Sequence, residues 1–130
     1  MKRYFIDTNI FISILEEEKD HKKFRNILGS IHRGKSLGAT SVICMAELLS
    51  GFYSQGERQK GDVFLNQTLS LENFSILDVD MQIAKEAAIF RSRYGIKLPD
   101  AIIAATCKDH RYILVTKDKA FRKIGEIQVL

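Results

Sequence analysis

Tryptophan is absent from this 130-residue chain, proline occurs once, at Pro99, and cysteine twice, at Cys44 and Cys107. With one proline there is no Pro-rich linker, and no Ser-rich tract, low-complexity segment or internal repeat takes its place. Residues 1–130 therefore read as a single domain. The two cysteines stand apart in apolar surroundings, without a C-x-x-C pair or a His at metal spacing. They read as buried thiols in a reducing cytosol rather than as a disulfide or a zinc site. Long hydrophobic runs are missing too. The amino end offers only Tyr4, Phe5 and Ile6 between two basic residues and a carboxylate, too little for a signal-peptide core or a membrane span. A cytoplasmic protein with no membrane partner is expected. Neither sign of charge dominates: the net charge is +4, with Lys and Arg scattered, a mild pointer towards a polyanionic partner.

What is present is an alternation of strand-like and helical segments. Tyr4-Phe5-Ile6 reads as a buried first strand ending at Asp7, followed by a helix over Asn9–Leu15 with Asp7 or Thr8 as N-cap. A second helix from Asp20 places Phe24, Ile27, Leu28 and Ile31 on one face. Leu37–Thr40 reads as a strand. Thr40 or Ser41 then caps a helix carrying Val42, Met45, Ala46, Leu48 and Leu49, and the glycine-bearing stretch Gly51–Gly61 as a turn or loose helix end. Val63–Leu71 is helical, Asn73–Val79 a strand, and Asp80 caps a helix ended by Gly95. Pro99 suits the first turn of another helix; Tyr112–Thr116 is a strand, a helical turn surrounds Phe121, and Ile127–Leu130 is a last edge strand. Such alternation predicts an α/β three-layer sandwich, a parallel central sheet flanked by helices.

The segment Gly29–Ser36, "GSIHRGKS", matches G-x-x-x-x-G-K-[ST]. A phosphate-binding loop must follow a strand and open a helix, so that free N–H groups and the helix dipole meet the anion. Here a helical pattern precedes it and a strand follows. The order is reversed, and no nucleotide is expected at this site.

In open parallel sheets ligands gather at the carboxyl ends of the strands, where four acids fall: Asp7, Glu47, Asp100 and Asp118. Each has an ordinary alternative. Asp7 caps a helix, Asp100 complements a helix dipole, and Asp118 is a solvated turn residue. Glu47 is harder to dismiss, because within "VICMAELL" it risks burial without a partner, which is costly. Carboxylates that repel one another become ligands when a hard cation lies between them, and an all-oxygen set favours Mg²⁺ or Mn²⁺ over zinc. His21, His32 and His110 lie in polar sequence, read as solvent-facing, and receive no role. Spacing alone does not bring the four acids together.

Four stretches do so by resemblance: "YFIDTNIFI" at 4–12, "TSVICMAELLSGF" at 40–52, "YGIKLPDAIIAATC" at 94–107 and "YILVTKDKAF" at 112–121. In order and spacing they resemble the PIN-domain family, and within it the small VapC-like toxins of toxin–antitoxin pairs. The resemblance implies a parallel sheet flanked by helices and a metal-dependent endoribonuclease that hydrolyses RNA phosphodiester bonds with Mg²⁺ or Mn²⁺. Its acids map onto Asp7, Glu47, Asp100 and Asp118, with Asp7 and Asp100 as direct ligands and Glu47 and Asp118 binding directly or through water. Thr8, Asn9 and Thr116 take supporting places. A cognate antitoxin and a homodimer are implied as partners. Many relatives carry a second Asp or Asn close behind the fourth acid, where this chain has Ala120. Arg91, Arg93, Lys97 and Lys117 are the candidate contacts to RNA. Two rivals remain: a haloacid-dehalogenase-type phosphatase, disfavoured because Asn9 stands where that chemistry wants an acid, and a PIN-like module that binds RNA or protein without cutting.

Overall fold

In a computed structural model all 130 residues are described. The elements run β1 (Lys2–Ile6), α1 (Thr8–Leu15), α2 (His21–His32), β2 (Ser36–Ser41), α3 (Val42–Ser54), α4 (Arg58–Leu69), β3 (Phe74–Leu77), α5 (Met81–Tyr94), α6 (Leu98–His110) and β4 (Ile113–Val115), with a 3₁₀ turn over Lys119–Lys123. The four strands form one sheet in the order β3-β2-β1-β4, and every pairing is parallel.

Because side chains alternate across a strand, neighbouring residues of β1 and β4 supply two different cores. Phe5 and Leu114 enter a cluster with Ile83, Ala87 and Phe90 of α5 and Ala101, Ile103 and Ala104 of α6. Ile6 and Val115 face the opposite side, where Ile10 and Phe11 of α1, Phe24 and Ile31 of α2, and Met45 and Leu48 of α3 meet. Helices therefore cover both faces, as the alternation predicted, and the central strands are buried from both sides.

The nucleotide-loop pattern dissolves in this frame. Its first half belongs to α2, which ends at His32; Gly34 adopts φ +75° to turn the chain, and β2 begins at Ser36. A left-handed residue after a helix end is the ordinary use of glycine.

Three expectations need correction. The stretch Gly51–Gly61 does hold a turn, with Gly56 at φ +73°, but only between Ser54, where α3 ends, and Arg58, where α4 starts, and the rest of it is helical. Gly61 is buried there, and a Cβ on it would lie 3.0 Å from Phe52 Cβ and from Tyr53 Cε1. The glycine thus allows α4 to approach α3 rather than breaking a helix. The last strand shrinks to a single bridge between Leu114 and Val129, with the Leu114 N–H donating to Gln128 O at 2.9 Å and the Leu130 N–H to Leu114 O at 2.8 Å. β4 is only three residues long and gives a partner little to pair with. Of the histidines, only His32 is exposed, while His21 and His110 are half-buried. No helix is long and apolar enough to cross a membrane.

Candidate active site

Asp7 leaves the end of β1 with its N–H still donating to Val115 O of β4 at 3.1 Å. Its backbone is extended (φ −76°, ψ 159°), so the residue serves as N-cap of α1. It is 6% exposed, and its carboxylate is held on both oxygens. Oδ1 accepts from the Thr8 N–H at 2.8 Å and faces the Cys44 thiol at 3.9 Å. Oδ2 accepts from the Thr116 hydroxyl at 2.7 Å and the Asn9 amide at 3.3 Å.

Thr116 and Asn9 tie the carboxyl ends of β1 and β4 together. The Asn9 amide also donates to Thr116 Oγ1 at 3.2 Å, and Asn9 Oδ1 accepts the Lys117 N–H at 3.1 Å. Thr116 Oγ1 accepts the Asp118 N–H at 3.0 Å. Asp118 in turn caps the 3₁₀ turn, Oδ1 accepting the Ala120 N–H at 2.9 Å. Across the site the Thr8 hydroxyl donates to Glu47 Oε1 at 3.2 Å. Asp100 sits half-buried in the first turn of α6, one residue after Pro99.

Glu47 corrects the burial argument made for it. Cys44, Met45 and Leu48 turn inward from α3, and the residue after Ala46 is carried round to the solvent side. Glu47 is exposed as a residue, so its charge is not shut into the core.

Asp7, Glu47 and Asp100 nevertheless feel neighbouring carboxylates. Burial, then the charge of Asp118, raises the pKa of Asp7 against the hydrogen bonds from Thr116 and Thr8. Although Glu47 as a residue is exposed, partial burial of its carboxyl is the first cause of a raised pKa, with the charges of Asp7 and Asp100 adding to it and the Thr8 bond opposing. Asp100 is raised by burial and by Asp118 and Asp7, and Lys97 opposes this. None of the four is in an ion pair. The set is oxygen-only, mutually repelling and outside every ion pair, a chemistry that fits a hard divalent cation. As folded, no three His, Cys, Asp or Glu side chains close on a common point as metal ligands do.

Two contributors escape a reading of the sequence. Cys44 is fully buried beside Asp7, and burial, then the Asp7 charge, pushes its thiol up to about 11; it stays protonated as a weak donor. Thr40, also fully buried, donates to Ile6 O at 2.8 Å and ties β2 to the end of β1. Of the candidate RNA contacts, Arg93 pairs with Glu126 at 3.5 Å and Lys117 with Glu18 at 3.4 Å, whereas Arg91 and Lys97 are exposed without an ion pair. Beside Glu47 lies a cleft of about 360 Å³ whose lining includes Ile12, Leu15, Leu48 and Phe52.

A profile of the PIN domain matches residues 4–127. The chain belongs to the PIN-domain family. No curated protein sequence matches it significantly. Among solved structures, a toxin–antitoxin complex from Klebsiella pneumoniae has a chain 28% identical, with a TM-score of 0.73, covering 98% of this chain and 95% of that one. FitAcB from Neisseria gonorrhoeae is 25% identical, TM-score 0.73, covering 98% and 96%. VapBC2 from Rickettsia felis, bound to a DNA fragment from its promoter, shares the fold at TM-score 0.81 and 22% identity, covering 98% and 97%. The acids thus stand at the carboxyl edge of a PIN-domain sheet.

Proposed function

We propose that residues 1–130 form one nuclease domain, a metal-dependent endoribonuclease that hydrolyses RNA phosphodiester bonds. In this reading it acts in the cytoplasm as the toxin of a toxin–antitoxin pair, as a homodimer and with a cognate antitoxin. The observation that carries the reading is the buried Asp7 carboxylate, gripped on both oxygens beside Glu47 and Asp100, whose raised proton affinity comes from burial first and then from neighbouring carboxylates, with none of them in an ion pair. The toxin–antitoxin assignment leans on the Klebsiella pneumoniae complex.

Asp7 and Asp100 would hold Mg²⁺ or Mn²⁺ directly, with Glu47 and Asp118 joining directly or through water. A bound divalent cation supplies a Lewis acid that lowers the pKa of a water and offsets charge growing on phosphoryl oxygens. The chain's own residues do the rest. Thr116 and Asn9 hold Asp7 Oδ2 and fix the plane of its carboxylate. Thr8 occupies Glu47 Oε1, leaving Oε2 to take a proton from the attacking water. Because water attacks, the 2′-hydroxyl takes no part and the products carry 5′-phosphates.

A second reading, a PIN-like module that binds RNA or protein without cutting, is favoured by one observation: the site's carboxylates do not close on a common point. Purified protein incubated with total cellular RNA and Mg²⁺ or Mn²⁺ separates the two. Discrete new 5′-phosphate ends, lost in Asp7→Asn and with chelator, are the expected result. No new ends from folded, inhibitor-free protein would favour the binding module, and 2′,3′-cyclic phosphate ends would overturn the water attack.

A further inference from the structure

The 3₁₀ turn over Lys119–Lys123 takes no part in the site described so far. With three residues per turn, Phe121 and Ile124, 2% and 1% exposed, stack against the core. Lys119 and Arg122 fall along one outward edge and Ala120 and Lys123 along the other, and all four are exposed. The turn is pinned to the site, since Asp118 caps it through the Ala120 N–H.

The chain just beyond the turn reaches a second basic segment. Glu126 accepts the Tyr94 hydroxyl and pairs with Arg93 at 3.5 Å. Ile96 is buried in the same cluster as Phe121 and Ile124. The next residue, Lys97, is exposed and is the cation that opposes the raised pKa of Asp100. One segment therefore leads into Asp100 and the other leads out of Asp118, and Glu126 fastens them together. None of the five ion pairs uses Lys97, Lys119, Arg122 or Lys123, and Ala120 brings no negative charge between them. An acidic site repels a polyanion, so a nucleic acid is held only where adjacent cations outweigh that repulsion.

We propose that Lys97, Lys119, Arg122 and Lys123 form a basic rim that holds the phosphate backbone of single-stranded RNA on the Asp100–Asp118 side of the site, with Glu126 joining its two halves. The inference rests on the nuclease reading for the identity of the ligand.

Its test is binding of a fluorescein-labelled, mixed-sequence single-stranded RNA to the Asp7→Asn protein, read by anisotropy across a KCl series with chelator present. Asp100→Asn serves as a second silent background. Lys119→Gln, Arg122→Gln and Lys123→Gln, singly and together, are compared with Lys2→Gln/Lys35→Gln at the opposite edge of the sheet. Each lost contact should shrink the slope of log Kd against log salt by about 0.7, while the opposite-edge pair leaves it unchanged. Equal slopes for the triple variant and its parent, or a parent that binds no RNA, would overturn the rim. Wild-type cleavage of total RNA is scored alongside. A shrunken slope without any cleavage keeps the rim and removes the nuclease reading; cleavage with an unchanged slope does the reverse.

Discussion

Thr116 illustrates how much one hydroxyl can carry. It donates to Asp7 Oδ2 and accepts from both the Asn9 amide and the Asp118 N–H, so three neighbours lose a partner when it goes. Thr116→Val should lower cleavage about 10–100-fold, the usual cost of removing a group that orients a metal ligand, and shift the Mn²⁺ titration to higher concentration. Thr116→Ser should restore most of it. The same scale gives a pH dependence. Asp7, Glu47 and Asp100 all have raised pKa values, so between the unfolded and folded values only the native state binds the proton. Their contribution is fully present below the unfolded values and is lost as pH rises through the folded ones. In chelator, the melting temperature should therefore rise as pH is lowered from neutrality towards the ordinary carboxylate range of about 4, and Asp100→Asn should flatten that rise. A flat wild-type profile would contradict the electrostatic picture.

Among the elements, the helices show what a sequence can and cannot reveal. The face Phe24, Ile27, Leu28 and Ile31 is legible because helical periodicity is local, and so is Asp80, which caps α5 by accepting the Ile83 N–H at 2.9 Å. Asp80→Ala should cost about 1 kcal/mol in urea unfolding and Asp80→Ser should recover it. Gly61 was not legible as a helical residue, because what favours it there is the close approach of Phe52 and Tyr53 from another helix. The site divides in the same way. Asp7 and Asp118 fall at ends of strands that the sequence displays, and the grouping of all four acids came from a family resemblance rather than from spacing. Cys44 lies 37 residues from the Asp7 it touches, and no local pattern reports such a contact. A run of apolar letters hides the rotation that turns Glu47 outward.

For the whole molecule, the distribution of charge matters more than its sum. A net charge of +4 conceals a cluster of acids at one edge of the sheet. A divalent cation that binds the folded cluster and not the unfolded chain must stabilise the protein by mass action. Millimolar Mn²⁺ should therefore raise the melting temperature of the wild type by several degrees and leave the Asp7→Asn/Asp100→Asn protein unmoved. An equal shift in both would place the binding elsewhere.

The bond between Thr116 and Asp7 joins positions 109 residues apart. Parallel pairing of β1 with β4 must close that whole span, and such long-range closure comes late and slowly. On a ribosome, the chain must emerge through Thr116 before Asp7 acquires its full set of partners. The grip on the Asp7 carboxylate is thus assembled by topology alone, and it is complete only once β4 has docked beside β1.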